Sequence, residues 1–179
     1  MKKPIDVFAA AETILKALPK GILLTTQEGT KTNTMIIGWG SLGVNWGKPV
    51  FTAYVRESRY TWPLLERTRE FTINVPTGAL DPKVLQIAGS KSGRDLDKIK
   101  ELGLTTVPGE KVSVPAIKEL PLTLECKVIY IQKQDLDQLT DEASKARFYP
   151  TVTPALPSGD TQDTHFTIMG EIVAAYLEE

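Results

Sequence analysis

Cysteine and histidine are nearly absent from this chain of 179 residues, which holds one of each, Cys126 and His165. A single cysteine excludes an internal disulfide and any multi-cysteine metal site. With one histidine beside it, no protein-held zinc site is expected. Excess charge is missing too, since 21 Lys and Arg face 22 Asp and Glu for a net charge of −1. Nucleic-acid binders normally carry a basic stripe, so no nucleic-acid partner is expected, and no polybasic face for a membrane. A small basic pocket for one anionic ligand remains open. No apolar run reaches the roughly 18 residues of a membrane-spanning helix. Two lysines stand near the start, but Asp6 and Glu12 interrupt the apolar segment that a signal peptide needs. A cytoplasmic location is the resulting expectation. Also lacking is the P-loop, and the G-x-G-x-x-G spacing of Gly38, Gly40 and Gly43 opens no long helix of the kind the dinucleotide fingerprint needs, so a nucleotide bound here would be held by another device. No Ser–His–Asp or Cys–His assembly is evident.

What is present reads as a single domain over residues 1–179, with 41% apolar and 24% charged residues, ordinary values for a globular chain. Phe8, Ala11, Leu15 and Leu18 recur at helical spacing and predict an amphipathic first helix. Strand-like segments follow at 21–26, 34–39, 50–55 and 71–76, with a short helix at 61–68. Asp81 before Pro82 pairs a capping residue with a proline at the first helical position, predicting a helix to about Ala88. A second helix is expected over 95–103. Leu122, Leu124, Cys126, Val128 and Tyr130 alternate with Thr123, Glu125, Lys127, Ile129 and Ile131, the period of a half-buried strand. Residues from 165 onward read as one long final strand, bulged at Gly170. Between these two strands lie a short helix starting near Thr140 and a proline-containing loop at 149–160. About six strands with short helices between them predict a predominantly antiparallel β-barrel rather than a doubly wound parallel sheet.

Three stretches could carry chemistry. Residues 32–49, TNTMIIGWGSLGVNWGKP, put two tryptophans and four glycines among almost no charge. A helix interior would lose roughly 1 kcal/mol for each such glycine relative to alanine. Asn33 and Thr34 offer amide and hydroxyl groups, and glycine backbone can turn tightly beside a planar heterocycle. The same stretch also fits a turn asparagine before an ordinary strand, with tryptophans buried in the core. Residues 55–63, VRESRYTWP, place Arg56, Ser58, Arg59, Tyr60 and Thr61 where a strand passes into a helix. Two guanidinium groups, hydroxyls and helix N-terminal amides suit a phosphate. A plain cap by Ser58 or Thr61, with exposed arginines, fits equally. Residues 88–103, AGSKSGRDLDKIKELG, carry small residues and hydroxyls ahead of Arg94 and Lys98. They suit a ligand loop, or a solvated loop followed by a charged helix face.

Taken in order, these segments resemble the flavin reductase-like family, whose members include flavoredoxin and the NAD(P)H:flavin oxidoreductases. The marks are NTMIIGWGSLG, GKPVFTAYVRESRYTWPLLERTREFTINVP, SGRDLDKIKELGLT and the closing HFTIMGEIVA. The resemblance implies a mainly β fold, an FMN-binding split β-barrel with short peripheral helices. It further implies a homodimer with flavin near the subunit interface. On that resemblance Asn33, Thr34 and Met35 would line the isoalloxazine ring, with Trp39 packed close by. Arg56, Ser58, Arg59, Tyr60 and Thr61 would surround the ribityl chain and 5′-phosphate, and Asn74 would sit under the flavin. Ser92, Arg94 and Lys98 would close the site, Lys98 in direct contact. His165 would stand at the mouth as the candidate catalytic residue. The implied reaction passes hydride from NADH or NADPH to FMN and electrons onward to an acceptor, which could be a protein; the cofactor does the hard chemistry. Several flavoredoxin-like members carry a cysteine just before the SGRD segment. This chain reads AGSKSGRD there, so no cysteine-dependent mechanism is expected. Two further functions fit the same resemblance: an FMN electron carrier reduced by a protein partner, and a non-catalytic module binding haem or a flavin-derived ligand.

Overall fold

Alternating and β-branched segments build most of the architecture. The structure is a computed structural model and describes residues 1–150 and 163–179. Strand β1 (Lys2–Pro4) precedes helix α1 (Ala11–Ala17) and a single 3-10 turn. Four strands follow, β2 (Ile22–Glu28), β3 (Lys31–Ile37), β4 (Gly40–Asn45) and β5 (Lys48–Arg56). Helix α2 (Thr61–Thr68) leads to β6 (Glu70–Val75), and then come helices α3 (Pro82–Ser90) and α4 (Lys98–Leu102). A small ribbon of β7 (Thr106–Val107) and β8 (Ala116–Ile117) precedes the long β9 (Leu122–Lys133). Helix α5 (Glu142–Phe148) and β10 (His165–Glu178) complete the order. Among the described residues no helix is long and apolar enough to cross a membrane.

The main sheet is antiparallel and runs β3-β2-β6-β9-β10-β5-β4, with β1 paired to β10. Its end strands, β3 and β4, are not bonded to each other, so the barrel is split rather than closed. The expected mainly β split barrel with short peripheral helices is the fold that forms. Leu24, Phe51, Phe71, Ile73 and Leu124 fill its interior. A second layer of Leu23, Val84, Ala88, Ile117 and Leu120 packs α3 and the β8 region on the other face of β2. That layer explains a departure in β9, whose first five residues are buried on both faces rather than one. Glu125 is buried there because its carboxylate accepts from the amides of Glu110 (2.7 Å), Lys111 (2.6 Å) and Val112 (3.2 Å). The Tyr176 hydroxyl donates to it as well, at 2.9 Å. Satisfying a buried charge this way avoids its large desolvation cost.

The helix signals are realised at their starts. Asp81 accepts from the Lys83 amide at 2.8 Å, with Pro82 at the first position, and α3 continues to Ser90. Asp141 caps α5. The helix expected over 95–103 is shorter, since Asp97 caps it late and Gly103, at φ 62°, ends it. The first helix buries a different face from the one expected: Val7, Ile14 and Leu18 are inside, whereas Phe8 and Leu15 are 48% and 45% exposed. Phe8 precedes the first helical turn, so helical spacing does not apply to it. The glycine stretch forms β4 rather than a turn around a ligand. Its reversal comes later, where Trp46 (φ 50°) and Gly47 (φ 69°) make a two-residue hairpin loop to β5.

The expected irregularity at Gly170 is present, although the extra residue belongs to the partner strand. Met169 pairs with Tyr130 and Gly170 with Val128, leaving Ile129 unpaired; a second shift leaves Val173 unpaired on β10. A Cβ on Gly170 would lie 2.5 Å from the Phe71 ring and 2.8 Å from the Cys126 Cβ. Gly170→Ala should therefore cost ~1–3 kcal/mol of unfolding free energy through overpacking. Gly43→Ala, where a Cβ meets nothing within 4 Å, should change stability by less than ~0.5 kcal/mol. Urea unfolding of the two variants checks this; equal losses would show that close packing does not reserve position 170 for glycine.

Candidate functional site

Two adjoining recesses open where β3, the β5–α2 passage and the α3–α4 loop meet. The larger, about 360 Å³, is lined by Asn33, Met35, Ser58, Arg59, Tyr60, Thr61, Ser92, Gly93, Arg94 and Lys98, with Ala88 to Lys91 and Asp95. That volume falls in the roughly 300–1,000 Å³ range of small-molecule sites. The smaller, about 180 Å³, runs along residues 35–39 to Tyr54, Arg56, Arg59 and His165. Met35 and Arg59 line both, so the two form one elongated depression. One end is rich in cations and the other carries Trp39 and the imidazole.

Lys98 forms the floor of the cationic end. It is 5% exposed, and its Nζ donates to the carbonyls of Thr34 and Ala88, each at 3.1 Å. Burial, reinforced by the Arg59 charge, lowers its pKa to about 8. Asn33 Nδ2 donates to the Thr61 hydroxyl at 2.8 Å. That hydroxyl is therefore used across the site rather than as a helix cap, and α2 begins without any side-chain cap. Arg94 donates to the Ser58 carbonyl at 3.0 Å and lies over the Tyr60 ring at 5.4 Å. Gly93 lets the loop close onto β3, because a Cβ there would stand 2.1 Å from Asn33 Oδ1 and 2.7 Å from the Tyr60 ring.

At the other end, β5 and β10 pair so that Arg56 faces His165. Trp39 lies with its ring centroid 5.0 Å from the imidazole and 4.9 Å from Phe148. Arg56 donates to the carbonyls of Asp163 and Phe148 and stacks over the Tyr149 ring at 5.4 Å. Ser58 donates to the Asp163 carboxylate through its amide (2.6 Å) and its hydroxyl (2.9 Å). His165 is buried, and its pKa falls to about 4, first through desolvation and then through Arg56.

The residues expected to contact flavin are thus largely gathered, with three differences. Arg56 belongs to the imidazole end, not to the Lys98 end. Thr34 turns its hydroxyl away from Asn33 and Met35, toward Thr25 Oγ1 at 3.0 Å and the Leu24 carbonyl; only its carbonyl serves the site, through Lys98. A strand alternates its side chains, so three consecutive residues cannot share one ligand face. Asn74 lines neither recess. It accepts from Thr72 at 3.3 Å and donates to Thr123 at 3.0 Å, in the layer beneath residues 105–120. The same alternation in β6 sends Phe71 and Ile73 into the barrel and Asn74 to the opposite face. Gly93, Tyr149, Gln134 and Asp163 are the participants the sequence reading missed. Of these only Gly93 carried a local signal, between a hydroxyl and an arginine. Residues 151–160 of the proline-containing loop read at 149–160 lie outside the described residues.

The flavin reductase like domain model matches residues 15–179. The chain belongs to the flavin reductase-like family. A flavoredoxin from Methanosarcina acetivorans superimposes with a TM-score of 0.62 at 29% identity, covering 89% of this chain and 68% of that one. The flavoredoxin of Desulfovibrio vulgaris (Miyazaki F) gives 0.64 at 25% identity, over 89% and 69%. A protein of Archaeoglobus fulgidus is 36% identical over 99 residues. That match spans 55% of this chain and 55% of the relative, little more than half of either.

The Lys98 environment has a measurable consequence. Its folded-state pKa of about 8 lies below the ordinary 10.5, so between these values the unfolded chain holds a proton that the folded chain has lost. Stability should rise with pH across that window. Urea unfolding from pH 8 to 10 should show the rise, and Lys98→Met should remove it. The same slope in both proteins would contradict the burial of a charged Lys98.

Proposed function

We propose that this chain is an FMN-dependent oxidoreductase that takes hydride from NADH or NADPH and hands electrons to an acceptor. The observation that carries the reading is Lys98, a buried cation at the floor of a ligand-sized recess, with Arg59 and Arg94 beside it. Among the described residues the buried ammonium is held by two neutral carbonyls, and such a group gains from an anionic ligand. The residues fit FMN: cations and hydroxyls at one end for a phosphate and ribityl chain, Met35 and Trp39 at the other for a planar ring. Gly93 supplies the close backbone approach between them. Lys98, Asn33, Thr61 and Arg94 would hold the ligand, and bound FMN would supply the hydride and electron chemistry. Around it the chain's own groups orient the ligand, exclude water and place the His165 ring at the open end. Likeness to two flavoredoxins, at 25% and 29% identity, supports a flavin as the ligand.

The reading includes a homodimer. Its support is the apolar edge left open on β4 and the β9 bulge, where Val44 and Trp46 are 66% and 60% exposed and Ile129 and Tyr130 are also exposed. Light scattering should give about twice the mass of one chain, and Trp46→Lys should lower it; a monomeric wild-type protein would remove this part.

The decisive measurement is an anaerobic absorption spectrum with FMN, then with NADH and NADPH added in turn. Flavin bands that bleach with either nucleotide support the oxidoreductase and name its donor. Bands that stay oxidised support a carrier reduced by a protein, and failure to bind FMN overturns the site. Lys98→Met should weaken FMN by about tenfold or more, the ~1.5–3 kcal/mol of a charged hydrogen bond. FMN affinity should fall above pH 8 in the wild type and not in that variant.

A further inference from the structure

His165 is joined to two residues from different elements. The Tyr149 hydroxyl, just past the end of α5, lies 2.7 Å from His165 Nδ1. The same hydroxyl donates to the Gln134 Oε1 at 3.1 Å. Gln134 follows β9 directly, and its amide donates to the His165 carbonyl at 2.9 Å, so backbone pairing fixes the distance the side chains must bridge.

Proton counting then decides the tautomer. A phenol has one proton and a carbonyl oxygen can only accept, so with that proton on Gln134 the tyrosine offers Nδ1 a lone pair. Burial holds the phenol protonated by raising its pKa. The imidazole is neutral at ordinary pH, since desolvation and Arg56 outweigh the opposing Asp163 charge, with Arg59 adding to them. It therefore carries one proton, and the neighbour at each nitrogen chooses which one holds it.

We infer that Gln134 and Tyr149 are positioning residues that hold His165 as the Nδ1–H tautomer, leaving Nε2 as a bare hydrogen-bond acceptor on the ring that lines the smaller recess. The recess then selects a ligand group with an N–H or O–H at that point, such as a carboxamide nitrogen, over a carbonyl oxygen. The ligand preference rests on the proposed site; the relay itself does not.

Because His165 is the sole histidine of the chain, long-range proton–nitrogen correlation NMR reads one imidazole without assignment. On protein without added flavin at pH 7, the wild type should show one pattern, that of Nδ1–H. Gln134→Glu, which can only accept from the tyrosine, should keep it. Tyr149→Phe should release the ring into a mixture of both tautomers. An Nε2–H wild type would mean that the Gln134 amide meets the tyrosine through its nitrogen, and would overturn the relay. So would a Tyr149→Phe spectrum identical to the wild type. The wild-type spectrum decides alone if a variant does not fold. Failure to bind FMN would sink the proposed function while leaving the tautomer result standing.

Discussion

The buried ammonium of Lys98 ties together the pieces that make a site. Its two carbonyl partners, Thr34 on β3 and Ala88 on α3, belong to elements far apart in sequence, and Lys98 itself begins α4. One side chain thereby clamps both ends of the loop from 88 to 98 and sets that loop against the barrel. Gly93 and Arg94 reach Asn33, Tyr60 and Ser58 because the loop is held there. Among the described residues no carboxylate pairs with this cation, and carbonyl dipoles offset its desolvation only in part. The lowered pKa is the visible remainder of that cost.

The opposite end is organised by strand pairing instead of by a buried charge. β10 lies between β9 and β5, and its first residue, His165, stands opposite Arg56. Arg56 bonds to the carbonyls of Phe148 and Asp163, the two described flanks of residues 151–162. Trp39, two residues past β3, meets Phe148 edge to face and lies tilted against His165. The bulges along β9 and β10 add local twist, and Gly170 admits the Phe71 ring where any larger residue would collide. A cationic end set by one lysine and an aromatic end set by one strand register meet across Met35 and Arg59.

Local chemistry was readable wherever one short segment decides the outcome. Asp81 with Pro82 started α3, Gly103 ended α4, and the alternation after Leu122 made a strand, because capping, positive φ and period two act within a few residues. The glycine-rich stretch misled because an edge strand tolerates glycine and leaves no apolar alternation to reveal it. Phe8 lies before the helix begins, where helical spacing does not apply, and Leu15 falls off the face that Ile14 buries. Most of the site residues were legible through the family resemblance, since their segments keep a recognisable order.

The sequence by itself determined the strand content, the lack of a disulfide within the chain, and the segments that line the two recesses. Those properties follow from composition and short-range pattern. Only the tertiary structure decided that the Thr34 hydroxyl and Asn74 turn away from the recesses, that Arg56 serves the imidazole end, and that Tyr149 and Gln134 meet His165. Each depends on strand register or on a loop's closure across the barrel. A shift of one residue in register exchanges the two faces of a strand, and no local pattern states which face a distant loop will cover.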